Sequence, residues 1–207
     1  MLGVIQIYAL NKSINSQPSA AGTPLRGAHY LHVSCCQKSK FRADSVQRLA
    51  QEKKRMIRKA IESEMGKVKE LFIEYQKWLN VDLCFQTFDD ELAGLPGAYA
   101  EPKGAIFVSE LCGHFVGCVA VRPINTEIAE IKRLYVKPAQ QNKGLGESLL
   151  KCAIDMAKAG HYNKLVLDTL PIMEKAKKLY EKHGFLKIDA YYVNPLPGVE
   201  YYEKKLS

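Results

Sequence analysis

Residues 129–160 read AEIKRLYVKPAQQNKGLGESLLKCAIDMAKAG, and this stretch decides the fold. Residues 129–136 have strand composition, and Lys137-Pro138 breaks the run. Gly144-Leu145-Gly146 then opens a helix. Leu145, Leu149, Leu150, Ala153, Ile154 and Ala157 recur at three-to-four spacing on one face. Glu147 and Lys151 form a favourable i,i+4 pair on the other face, and Gly160 supplies a natural stop.

A glycine-bearing turn that feeds a helix is an anion cradle. The first helical amides lack internal partners, and the macrodipole adds positive potential there. Phosphate or pyrophosphate is the usual guest. Two familiar phosphate motifs fail here. The P-loop needs Lys and Ser/Thr directly after its second glycine, where Glu147 and Ser148 stand. The dinucleotide fingerprint needs a third glycine, where Leu149 stands.

The pattern that fits is Gln/Arg-x-x-Gly-x-Gly, as Gln141-Asn142-Lys143-Gly144-Leu145-Gly146. Three neighbours accompany it: the strand AEIKRLYV, the strand-like KLVLDT at 164–169, and Ala176-Lys-Lys-Leu-Tyr180-Glu-Lys-His-Gly184-Phe185. In order and spacing these blocks resemble the GNAT superfamily of acetyl-CoA-dependent N-acetyltransferases. The resemblance covers about the last three quarters of the chain and says little about the acceptor. It implies an α+β (mixed α/β) fold: a largely antiparallel sheet of six to seven strands flanked by helices. Strand 129–136, the cradle helix and strand 164–169 form its central parallel unit.

Composition is that of an ordinary globular protein, with 47% hydrophobic and 25% charged residues and no apolar run of membrane-spanning length. The net charge of +8 is uneven. Residues 1–43 hold Lys12, Arg26, Lys38, Lys40 and Arg42 and no acid, leaving +3 for the remainder. A nucleic-acid partner is therefore not needed to explain the domain's charge, and a mild positive rim suits an anionic cofactor. Residues 1–55 read as a basic, disordered extension or linker, and residues 56–207 as the catalytic domain. The acid-free leader leaves two readings open, a mitochondrial or plastid transit peptide and a plain disordered tail. Six cysteines form no C-x-x-C and no zinc spacing, and His29 and His32 have no further ligand nearby. No metal is expected, and a reduced, cytoplasmic set of thiols is. The sequence leaves oligomeric state open, a homodimer included.

The rest of the chain falls into place around the centre. Residues 56–61 read as a short strand, and 64–80 as a helix with Val68, Leu71, Phe72, Tyr75, Trp78 and Leu79 on one face. Residues 81–102 read as a long apolar loop of the kind that lines a site. Residues 105–110 and 114–122 read as a hairpin, 172–183 as a helix, and 185–193 and 199–206 as the last strands.

The resemblance also implies roles. The cradle residues 141–146 (Gln141, Asn142, Lys143, Gly144, Leu145, Gly146) face the cofactor's pyrophosphate, and the backbone of Leu134 and Val136 pairs with the pantetheine arm. Two positions depart from the family's pattern. Gln141-Asn142 stands where Arg-Gly is frequent, with Asn142 able to take a left-handed turn in glycine's place and Lys143 left to compensate for the lost arginine. Met173 stands where an Asn often bonds the pantetheine. Direct attack needs a neutral amine, although an alkyl ammonium has a pKa of about 10.4. Glu130 holds the position of the family's glutamate base; a salt bridge to Lys132 or Arg133 is the competing reading, and Asp168 is the rival carboxylate. Tyr180 matches the tyrosine acid that meets the leaving thiolate. Gln86, Tyr99, Asp168 and Tyr191 are the candidate acceptor residues. The acceptor is expected to be a small amine, with a protein amine and a non-catalytic acyl-CoA-binding module as alternatives.

Overall fold

A computed structural model describes residues 55–80 and 87–206. Gln86 and residues 1–54 lie outside the described residues. The sheet has seven strands: β1 (Arg55–Lys59), β2 (Ala105–Leu111), β3 (His114–Pro123), β4 (Ile128–Val136), β5 (Lys164–Thr169), β6 (Leu186–Ile188) and β7 (Glu200–Lys205). Their spatial order is β1-β2-β3-β4-β5-β7-β6. Every neighbouring pair is antiparallel except β4 and β5. The α+β expectation holds.

Among the described residues four α-helices flank the sheet: α1 (Met65–Leu79), α2 (Phe88–Ala93), α3 (Leu145–Ala159) and α4 (Glu174–Lys182). Period-two alternation sends β-strand side chains to opposite faces. Ala105 and Phe107 thus join the α3 side, where Leu149, Leu150, Ala153 and Ala157 pack. Ile106 and Val108 face the α1 side, against Val68, Leu71 and Phe72. The apolar face expected of α3 is the face it buries.

Several boundaries differ from the sequence reading. Residues 87–102 are not a loop: they contain α2, whose first turn holds Asp89, Asp90 and Glu91, and a single 3-10 turn at Gly97–Tyr99. Acidic residues there suit the helix dipole. The strand expected over 185–193 shrinks to β6, because only Leu186, Lys187 and Ile188 pair with β7. Trp78 is 40% exposed and stacks on Tyr75 rather than entering the core. Helix α3 is capped by Gly160 in a right-handed conformation, and His161 takes the left-handed turn. Gly160 is needed for a different reason: a Cβ there would lie 3.0 Å from the Tyr162 ring.

Candidate active site

Strand β4 is buried on both faces, yet it carries Glu130, Lys132 and Arg133. Buried charges survive only when paired. Each one here is, and the pairing builds the site.

Strands β4 and β5 pair only at Ile128, Ala129 and Glu130, opposite Lys164, Leu165 and Val166. Beyond Glu130 they separate while β5 stays zipped to β7 through Thr169. On its other side β4 breaks register with β3 between Cys118 and Ala120, where Arg133 adopts φ 57°. That left-handed backbone at a non-glycine residue is held by the side chain's own anchors, described below. The separation opens a slot of about 60 Å³ at the carboxyl ends of the parallel strands. Leu134, Asp168, Met173 and Tyr180 line it. Such an opening is where ligands enter sheets of this kind.

The N-terminus of α3 stands at the same end. Gly144 caps it at φ 79°, and Asn142 takes φ 59°, the left-handed turn expected of it. Gln141 turns inward and donates to the Val136 carbonyl at 3.0 Å, so it ties the cradle to β4. Val136 itself is not among the residues lining the slot. Lys143 folds back onto Ala139 O and Gln140. A charge that sequence reasoning missed comes from α4: Lys175 Nζ reaches Asn142 Oδ1 at 3.2 Å, across the cradle. The Glu147 carboxylate in the first turn is drawn aside by Lys182, Lys151 and His183. Lys182 above all holds it down to about 2. The donor set fits a diphosphate.

Tyr180 is 6% exposed and packs its ring against Phe185 and Tyr202. Among the described residues nothing bonds its hydroxyl. Burial, followed by the neighbouring Tyr75 and Asp168, pushes the phenol well above its ordinary range, so it stays protonated.

A second, larger cavity of about 660 Å³ adjoins the slot, with Lys132 and Arg133 lining both. Its walls come from α2 (Glu91), β3 (Arg122), β4 (Glu130) and residues 191–195. Glu130 is 2% exposed and both its oxygens are engaged. Arg122, directly opposite on β3, places Nε and Nη2 on Oε2 at 2.7 Å each. Tyr191 donates to Oε1 at 2.8 Å, with Lys132 Nζ at 3.4 Å. The salt bridge considered for Glu130 therefore exists, to Lys132 and Arg122 rather than Arg133. Lys132 also reaches Asp168 Oδ1 at 2.9 Å and lies over the Tyr192 ring. Asp168 lines the slot and not the larger cavity.

Arg133 belongs to another pair. Its Nε and Nη2 reach the two Glu91 oxygens at 3.0 and 2.5 Å, and its guanidinium sits 4.9 Å from the Phe88 ring centroid. Tyr99, expected to line the acceptor pocket, stands behind this wall: it is 3% exposed and donates to Glu91 at 2.8 Å. Burial alone would raise the Glu91 carboxyl, but Arg133 outweighs it and the group sits below the usual carboxylate range. A depressed native value stabilises the fold above the unfolded pKa of about 4.3 and is lost as pH falls through the lower native value. Glu91→Gln is therefore expected to destabilise the protein at pH 7 by on the order of 3 kcal/mol. The gap from wild type should narrow as pH drops below about 4, and a pH-independent difference in denaturant midpoints would contradict this.

Among the described residues Cys112, Cys118 and Cys152 are free thiols. Burial pushes Cys118 up to about 12, which makes it inert as a nucleophile. No group of His, Cys, Asp and Glu among the described residues is arranged to hold a metal ion, and no helix among them is long and apolar enough to cross a membrane.

Residues 67–185 match the Acetyltransferase (GNAT) family. An uncharacterized N-acetyltransferase of Schizosaccharomyces pombe is 39% identical over 141 residues, which span 67% of this chain and 86% of that protein. N-acetylaspartate synthetase of Danio rerio is 31% identical over 111 residues, 53% of this chain and 39% of the relative. Among solved structures, the PaiA N-acetyltransferase of Thermoplasma acidophilum in complex with coenzyme A superposes with a TM-score of 0.59 at 20% identity, covering 73% of this chain and 98% of that one.

Proposed function

The chain belongs to the GNAT acetyltransferase family and is an N-acetyltransferase, and we propose that it moves an acetyl group from acetyl-CoA to the primary amine of a small molecule. The observation that carries this reading is the pair of adjoining spaces: a slot with a cradle at one end, and a cavity sharing Lys132 and Arg133 with it.

The slot is the place for the pantetheine arm. Beyond Glu130 the backbone of β4, at Leu134 above all, has no β5 partner, so an extended amide-bearing chain can pair with it. Met173 offers apolar contact there but no amide hydrogen bond. The pyrophosphate takes the α3 amides, with the Lys175 ammonium alongside. Coenzyme A in the PaiA complex supports the assignment.

The amine enters from the larger cavity. Its nitrogen attacks the thioester carbonyl carbon, the C–S bond breaks, and the sulfur leaves as a thiolate. Tyr180, which lines the slot and has no bond to its hydroxyl among the described residues, meets that sulfur. The proton shed by the amine passes to Glu130 along the Tyr191 hydroxyl, already bonded to Oε1. The likeness to N-acetylaspartate synthetase, and the wall that residues 191–195 raise over the cavity, favour a small acceptor over a protein one. The catalytic domain is residues 56–207, and free thiols at Cys112, Cys118 and Cys152 suit the cytoplasm.

The test is a thermal shift of the full chain with acetyl-CoA and CoA, and with ATP and NAD as controls. At a hundred times Kd binding adds about 2.7 kcal/mol, roughly 5–11 °C for a protein of this size. Thiol release with small amines, and with lysine-bearing peptides in parallel, then reports transfer. No shift at millimolar acetyl-CoA would overturn the cofactor assignment. Turnover of peptides alone would replace the small acceptor by a protein.

A further inference from the structure

We propose that the acceptor is an α-amino acid whose carboxylate docks on the free edge of Arg122. The inference rests on the acetyl-transfer reading above and names the acceptor class of that same cavity.

Every carboxylate of the cavity wall among the described residues is already spent. Glu91 is held by Arg133 through both oxygens. Glu130 is held by Arg122, Lys132 and Tyr191. Asp168, just behind Lys132, accepts from it and from Asn194. A polyamine or other polycationic acceptor would find no unpaired anion here, and would meet three cations.

Those cations differ in what they have left to give. The Arg133 side chain is 4% exposed and bound on a fork, and that of Lys132 is 8% exposed between two carboxylates. The Arg122 side chain is 38% exposed. It spends Nε and one hydrogen of Nη2 on a single oxygen of Glu130, and no described group bonds Nη1. The bond to Glu130 fixes the guanidinium plane. The remaining Nη1/Nη2 edge then presents two parallel N–H groups to the cavity, the geometry that reads a carboxylate.

Spacing decides which carboxylate. Arg122 grips Oε2 of Glu130 while Tyr191 grips Oε1, so the anion dock and the proton path flank one carboxyl group. An acceptor spanning them must carry its amine and its carboxylate close together. In an α-amino acid a single carbon separates the two. Its carboxylate on Arg122 leaves the amine beside the Tyr191 hydroxyl.

The experiment compares α-amino acids with the amines that their decarboxylation leaves: alanine with ethylamine, phenylalanine with phenethylamine, lysine with cadaverine, aspartate with 3-aminopropanoate. The full chain and its Arg122→Gln variant are assayed by thiol release with acetyl-CoA. A charge-assisted contact predicts a kcat/KM preference of roughly 30-fold or more for the amino acid in the best pair, carried mainly by KM. In Arg122→Gln that preference should collapse to a few-fold. If Arg122 only positions Glu130, both members of a pair will slow by the same factor and the preference will survive, which overturns the inference. Equal use of the decarboxylated amines by the wild type overturns it too, while leaving acetyl transfer standing. Failure to acetylate any amine also overturns it; a retained acetyl-CoA thermal shift then preserves the cofactor assignment, and a lost one removes the reading beneath.

Discussion

Tyr180→Phe is expected to lower kcat about 100-fold or more while KM for acetyl-CoA moves by no more than a few-fold. The substitution removes one oxygen and keeps the ring, so the packing against Phe185 and Tyr202 persists. No described group loses a partner, because none bonds the hydroxyl in the free protein. What disappears is the donor proposed to meet the sulfur, whose charge develops only as the C–S bond breaks. An interaction made in the transition state alone shows in kcat. General acid assistance contributes about 10²–10⁴-fold, which sets the scale. The raised phenol adds a signature. Its proton is retained beyond the assay range, so wild-type rate should show no alkaline limb from Tyr180 near pH 10. A variant within threefold of wild type in single-turnover thiol release would remove Tyr180 from the chemistry.

Glu130→Gln carries the second large effect, a loss of about 10²–10³ in kcat. The amide matches the carboxylate in shape but accepts a proton poorly, and it breaks the path from Tyr191. The effect reaches further than one group. Glu130 faces Arg122, Lys132 and Tyr191 at once, so its neutralisation leaves Arg122 without its anion and Lys132 with Asp168 alone. Some loss of stability is expected, of the order seen when one partner of a buried pair is removed, about 3 kcal/mol. The two roles separate by measurement. A base is revealed by partial recovery of rate at higher pH, where more of the amine is already neutral. A purely structural glutamate would give a variant slowed equally across pH, with acetyl-CoA binding weakened alongside.

The sequence made the framework legible because its signals are local. The cradle, the amphipathic face of α3 and the tyrosine before Gly184-Phe185 are all read within a few residues of one another. Helix α2 was not, since six residues hold too little periodicity, although Asp89-Asp90-Glu91 marks a helix start in retrospect. The strand expected over 185–193 was overdrawn for a related reason. Its apolar and aromatic residues are real, but Tyr191 is turned to Glu130 instead of pairing along β7. Least legible were the charge pairs. Arg122 with Glu130 depends on the register of β3 against β4, and Arg133 with Glu91 spans 42 positions. No spacing rule reports either. Arg122 was not singled out in sequence at all, and only its exposure and half-used guanidinium set it apart.

The partition between slot and cavity bears on how such a chain can change over time. The slot is lined mainly by β4, β5 and α4, and the larger cavity by α2, the end of β3, Glu130 and residues such as Tyr191 and Tyr192; in the reading proposed above the first serves the acyl donor and the second the acceptor. Only Lys132 and Arg133 serve both sides. After a gene duplication, substitutions in α2 and around residues 192–195 can accumulate while the strands and helix that line the slot stay as they are. Lys132 and Arg133 are the boundary that neither lineage can redraw alone. A new substrate range is thus open to this scaffold by altering a few of the positions that line the larger cavity alone.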